Sequence, residues 1–283
     1  MKRKIAILAV LGLLLSPVMQ AADTIVKPGS VSIWQARRTI KAAEYSSERY
    51  KMGHKGIDRK SIHFTPDTLE FDTSDSKAGR KYFQLDLKTV ESMYAKCHGS
   101  SMFYCDLKDE KGKSIPDDSP LGLIWGQGPW SGLCNIPDAK CPDDRIRETT
   151  RTAQAFVDAI SRLRAFANDS GTPLRNFTQQ AAAWRALASK PQIPDQVREQ
   201  RLMAEDAVKN KKPEEALGYY EVGLELYPTW PEGYFNAALI TGELGFYEDA
   251  IEHMQAYLEL APNAPDAQAA QDQIVIWRHK AKQ

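Results

Sequence analysis

Leu224-Glu225-Leu226-Tyr227-Pro228 returns 34 residues later as Leu258-Glu259-Leu260-Ala261-Pro262, and Glu215-Ala216-Leu217 returns at the same distance as Asp249-Ala250-Ile251. Too many paired positions share this one separation for chance. A 34-residue period belongs to units of two helices joined by a turn. The pattern predicts helices at residues 197–210, 213–227, 232–243 and 247–261, with turns at Lys211-Lys212-Pro213 and Gly245-Phe246. Small residues at Ala204, Ala216, Gly223, Ala238 and Ala250 let the helices approach. Tyr220, Tyr234 and Leu258 fill the spaces beside them, and Pro228 and Pro262 stop the second helix of each unit.

Units of this kind cannot bury their apolar face alone, and about three are needed for a stable stack. The two found here therefore call for caps. Residues 265–280 supply one, with Ala269, Ala270, Gln273, Ile276 and Trp277 forming a partly apolar face. Residues 174–187, with Phe177, Ala181, Trp184 and Leu187 at helical spacing, are expected to cover the first unit. The expectation is a solenoid of five or six helices.

On these residues, segment 197–264 resembles the tetratricopeptide-repeat (TPR) family. Asn236-Ala237-Ala238-Leu239, Tyr257-Leu258-Glu259-Leu260 and Ala270-Gln271-Asp272 are also similar to a group of bacterial exported repeat proteins without a defined activity. The chain departs from the family pattern at Gln200, Thr241 and Tyr257, where the family has bulky apolar, bulky aromatic and small residues. The resemblance implies a binding module whose concave surface is lined by the first helix of each unit. By position that surface is Arg198, Arg201, Glu205 and Lys209, then Phe235, Asn236, Leu239 and Glu243. Asn236 stands where relatives hydrogen-bond a ligand's backbone or carboxylate, and Arg201 is placed to assist with its charge. The competing reading is solvated charges on a helix face, with Asn236 satisfied inside the fold.

The preceding part has a different texture. Ser61-Ile62-His63-Phe64, Thr68-Leu69-Glu70-Phe71 and Tyr82-Phe83-Gln84-Leu85-Asp86-Leu87 are short apolar alternations, separated by Pro66-Asp67 and by residues 75–79. They predict antiparallel strands and turns, with a further strand at residues 89–94 and a turn at His98-Gly99-Ser100. From Asp144 the pattern becomes helical, with Phe156, Val157, Ile160, Leu163 and Phe166 on the face that packs on the sheet. Short strands closed by one amphipathic helix resemble the pleckstrin-homology-like (PH-like) barrel over residues 61–167, which implies a binding scaffold. The fold class is thus α+β: a small antiparallel sheet or barrel with a closing helix, followed by an all-α TPR solenoid.

Four cysteines, Cys97, Cys105, Cys134 and Cys141, fall within 45 residues. Two disulfides are expected, Cys97 with Cys105 and Cys134 with Cys141 being favoured among three connectivities. Spacings of seven, 28 and six intervening residues lack the paired short gaps of structural zinc sites, so no metal is assigned. His98 is read as a turn residue. Gly122, Trp125, Gly126, Gly128, Trp130 and Gly132 crowd into eleven residues. Without Gly-Lys-Ser/Thr or a third glycine at a helix start, they make no nucleotide loop. Trp125 and Trp130 form either an exposed recognition loop or a plug at the end of the sheet.

At the N-terminus, Lys2, Arg3 and Lys4 precede eleven apolar or small residues from Ile5 to Leu15, then Ser16-Pro17 and Ala21-Ala22. This is the layout of a secretory signal cleaved near Ala21 or Ala22. Eleven helical residues rise only about 16 Å, about half a hydrocarbon core. No later stretch is long enough to span a bilayer. Domains are expected at 1–22 (signal), 23–60 (an extension in which 32–50 reads equally as strand or helix), 61–168, 169–196 (linker and capping helix), 197–264 and 265–283.

Basic and acidic residues balance at 37 each. Residues 197–283 hold eight basic against fifteen acidic, and residues 22–196 hold 26 against 22. Such asymmetry lets the two parts attract each other or different partners. No basic surplus on one face suggests nucleic acid. The expected function is a periplasmic adaptor holding a protein or peptide of the cell envelope, with neither catalysis nor cofactor. The alternatives are an envelope hydrolase with its site in the β-rich domain, for which no catalytic motif is present and where His54 and His63 read as ordinary surface residues, and a self-associating structural protein.

Overall fold

The computed structural model describes residues 24–26, 31–43, 56–75, 79–99, 102–128, 133–135 and 141–282. The strands are β1 (Thr24–Val26), β2 (Gly56–Ile57), β3 (His63–Phe64), β4 (Thr68–Asp75), β5 (Gly79–Asp86), β6 (Met93–His98), β7 (Met102–Asp109) and β8 (Leu133–Asn135). They form two antiparallel sheets. One has the order β1-β6-β7-β8, and in the other β4 pairs with β2 and β3 along one edge and with β5 along the opposite edge. The period of two decides which side chains enter the core: Met93, Ala95 and Cys97 of β6 and Phe103, Cys105 and Leu107 of β7 are buried. The other sheet contributes Leu69, Phe71 and Phe83, the two phenyl rings stacking at 5.5 Å.

The expected strand at 89–94 begins later, at Met93, because Asp86 ends β5 in a turn closed by the Thr89 N–H and hydroxyl on its carbonyl. His98 belongs to β6, not to a free turn, and its Nε2 lies 3.1 Å from Asp106 on β7. Residues 32–50 resolve in part into α1 (Ile33–Ala42), whose N-terminus is capped by Ser32 accepting from the Gln35 N–H. The glycine-rich segment contains α2 (Pro120–Gln127), entered through the Ser119 cap and Pro120 at the first turn. Gly122 is required there, since a Cβ would stand 2.0 Å from the Pro116 carbonyl oxygen.

The long helix α3 (Asp143–Asn168) buries Phe156, Val157, Ile160, Leu163 and Phe166 against β1, β6 and β7. Beyond it, a 3-10 turn at Pro173–Asn176 leads to α4 (Phe177–Ala186), α5 (Asp195–Lys209), α6 (Pro213–Leu226), α7 (Pro231–Glu243), α8 (Tyr247–Leu260) and α9 (Ala267–Lys280). Small antiparallel sheets followed by helices make the protein α+β. Helices α6 and α8 start and stop 34 residues apart, as the repeat requires. Each of α5 to α9 packs against the next. Trp230 closes on Gly223 and Gly233, and Trp277 of α9 lies on Gly242 of α7.

Two expectations about the caps change. The inward face of α9 is Ala267, Ala270, Ile274 and Trp277, while Ala269 and Ile276 are exposed. Helix α4 packs on α8, where Arg185 donates to the Glu259 carbonyl, and it also reaches α7 and the end of α6, Phe177 meeting the ring of Tyr234 and Trp184 that of Tyr227. Met203, Val222 and Leu226 at the outer side of the first pair are left exposed.

Candidate functional site

The carboxylates that meet α1 lie on α6 and α8, and the sequence placed its candidate residues on α5 and α7. Arg198, Glu205, Lys209, Leu239 and Glu243 are exposed there, with Arg201, Phe235 and Asn236 half-buried between them. Leu202 of α5, Leu239 of α7 and Val275 of α9 are exposed apolar side chains.

Three of these residues act on the Tyr220 hydroxyl, two through their charge. Burial and the charge of Glu205 push that hydroxyl up, while a hydrogen bond from Asn236 and the charge of Arg201 act against them. Asn236 is thus engaged within the fold. Arg201 makes only a long contact with Glu205, Nε to Oε1 3.7 Å, and its Nε has no hydrogen-bond partner. Phe235 packs edge-on to Tyr257 at 5.1 Å. Lys209 and Glu243 sit at the C-terminal ends of their helices.

Arg201 and Tyr257 also line a cavity of about 700 Å³, open to solvent, that the sequence did not disclose. Trp184, Ile193, Trp230 and Leu260 supply its apolar wall, and Glu232 adds one carboxylate. It lies where the linker after α4 passes the loops that follow α6 and α8. Lys190 helps hold that linker by donating to the carbonyls of Trp184 and Leu187, both at 2.7 Å. A cavity of this size and composition accepts a side chain of a bound polypeptide.

The α6 and α8 side is already occupied, by α1. Arg38 forks onto Glu221, with Nη1 2.5 Å from Oε1 and Nη2 2.9 Å from Oε2, and reaches Asp249 at 3.2 Å. The Ser32 hydroxyl donates to Glu221, the Ile33 N–H to Glu225, and the Trp34 indole N–H to Glu252 at 3.2 Å. Arg37 and Lys41 pair with Glu252 and Glu248, and Arg162 of α3 adds a bond to Glu225 at 2.7 Å. Glu221 and His253 are fully buried, with His253 Nε2 at 3.6 Å from Glu221, beyond hydrogen-bond reach, and its ring 4.9 Å from that of Trp34.

Burial pushes the Glu221 carboxyl up, but the approach of His253 and the Arg38 fork outweigh it and hold it below the ordinary glutamate value. For Asp249 burial wins over the pull of Arg38, and its carboxyl is raised. The basic surplus of the first part and the acidic surplus of the second therefore meet across this contact.

Other candidates fare differently. Trp125 is only 6 % exposed, lies on α2 and packs edge-on to Phe156 of α3, so it offers no recognition surface. Trp130 lies outside the described residues, as does His54. His63 is exposed on β3, opposite Glu70 of β4. Cys97 and Cys105, directly opposite on β6 and β7, are joined in a disulfide. Cys141 is also disulfide-bonded, whereas the side chain of Cys134 lies outside those described. Among the described residues no group of His, Cys, Asp and Glu is arranged to hold a metal, and no helix is long and apolar enough to cross a membrane. No family model matches the chain, and no match is found among curated proteins.

Proposed function

We propose that this chain is an exported, periplasmic scaffold of tetratricopeptide type that takes up a segment of another polypeptide on the face of α5, α7 and α9. The observation that carries the reading is the contrast between the two sides of the helical stack. On α6 and α8, Glu221 and Asp249 are buried against Arg38 of α1. On α5 and α7, Leu202 and Leu239 stay exposed, and Arg201 of α5 lines a cavity walled by aromatic side chains. Exposed apolar groups framed by polar ones mark interaction surfaces. The 34-residue coincidence of α6 and α8 supports the repeat assignment, and the Cys97–Cys105 disulfide supports an oxidising compartment. The sheets and α3 then act as the PH-like partner that fixes the stack through α1.

Affinity capture from envelope extracts tests this reading. Arg201→Glu, at a half-buried position, and Leu239→Asp, at an exposed one, are expected to abolish capture of a partner held by the wild type while leaving the far-UV circular dichroism unchanged. Retention of the same partner by both variants overturns the assignment of this face.

A further inference from the structure

Not all the cations near α1 end on carboxylates of the helical stack. A cavity of about 650 Å³ opens beside the docked helix, between Arg38 and Lys41 of α1, Arg59 and Lys60 of the 3-10 turn Arg59–Ser61, and the start of α8 and end of α9. The last two contribute Glu248, Asp249 and Lys280. Five cationic side chains thus face two carboxylates, and both carboxylates are engaged: Asp249 accepts from Arg38 and Glu248 from Lys41 at 2.6 Å. Arg59, Lys60 and Lys280 have no carboxylate partner among the described residues. The Lys280 ammonium rests 5.5 Å from the centre of the Tyr247 ring, and Arg59 and Lys60 stand exposed.

Cations without counter-charges repel one another, and a concave setting concentrates the resulting field. Here three of them, from segments more than 200 residues apart in the chain, converge on one cavity in a part of the molecule otherwise rich in acid. A guanidinium forks onto a phosphate or carboxylate and an ammonium acts as a point charge, so together they suit an anion with several charged groups. The volume is that of a small-molecule site. We propose that this cavity binds a polyvalent anion bearing phosphate or carboxylate groups, which bridges the β-rich part to the end of the helical stack. The anion joins Arg59 and Lys60 to Lys280, so its binding stabilises the folded chain.

Calorimetric titration of the full chain at constant ionic strength, with inorganic pyrophosphate and with citrate as probes, tests the site. Saturable one-to-one binding is expected, together with a rise in Tm that grows with probe concentration. The Lys60→Ala/Lys280→Ala variant should lose at least tenfold in affinity with its circular dichroism unchanged. Lys111→Ala/Lys113→Ala, which removes exposed cations outside the cavity, should bind as the wild type does. Binding of pyrophosphate alone assigns a phosphate-bearing ligand, binding of citrate alone a carboxylate-bearing one, and binding of both a site that reads charge. Absence of saturable binding for both probes, or an equal loss in the two variants, overturns the proposal.

Discussion

Replacing Glu221 by Gln removes the charge that the Arg38 fork is built around and leaves Arg38 with Asp249 alone, which is expected to cost about 3 kcal/mol at neutral pH. Because the Glu221 carboxyl is held below its ordinary value, its contribution is present above the unfolded glutamate pKa and is lost as pH falls through the lower folded one. Urea unfolding of wild type and Glu221→Gln should therefore differ at pH 7 and converge in strong acid. Asp249 has the opposite sign. Its carboxyl is raised by burial, so its ionisation costs stability as pH climbs, and Asp249→Asn should change the pH 7 stability less than Glu221→Gln does. Glycines give a second test. Alanine is favoured over glycine in a helix by about 1 kcal/mol, yet a Cβ would stand 2.3 Å from the Trp230 ring at Gly233 and 2.5 Å from the Trp277 ring at Gly242. Both rings are buried and cannot swing aside, so Gly233→Ala and Gly242→Ala should each lower stability by about 1–3 kcal/mol in thermal unfolding. A neutral result at Gly242 would mean that α9 does not press on α7.

Helix α1 is the element whose docking is most open to measurement. Arg38→Met leaves Glu221 buried beside a neutral side chain and should cost about 3–5 kcal/mol, whereas Arg38→Met combined with Glu221→Met should recover most of that loss. Additive losses in this cycle would show that the two side chains are not coupled. On the sheet side, replacing Cys97 and Cys105 by Ser opens a loop of eight residues' separation and is expected to cost about 2–3 kcal/mol, read as a lowered urea midpoint under non-reducing conditions, where the disulfide of Cys141 stays intact. The elements themselves were unequally legible. Helices α6 and α8 were readable to within a residue because repetition supplies two copies of each signal. Helix α2 was hidden among glycines, although the Ser119 cap followed by Pro120 marks its start. Helix α4 was readable as a helix but not as a partner of α8. Its apolar residues specify that one face is buried and leave open which neighbour buries it.

Across the whole molecule the two oppositely charged parts are held by pairs of unequal burial. Arg37–Glu252 and Lys41–Glu248 are partly solvated, with the carboxylate side chains 52 % and 69 % exposed, while Arg38–Glu221 is shielded from solvent. Salt screens the first two and scarcely reaches the third. Raising the salt concentration to about 0.5 M, where the Debye length falls to roughly 4 Å, should speed amide exchange in α1 a few-fold without releasing it. Full release would mean that solvated pairs alone hold the helix. By itself the sequence determined what is written in short-range spacing: the 34-residue pairing of helices, the alternations of β3 to β5, the amphipathic stripe of α3 and the charge imbalance between the two parts. Only the tertiary structure decided which sides of those elements remain open. Arg38 meets Glu221 across 183 residues and Trp34 meets Glu252 across 218, and Trp125 turns inward onto Phe156. Periodicity is a property of neighbours along the chain, whereas the choice of a burying partner depends on shape and charge complementarity between segments that meet only after folding.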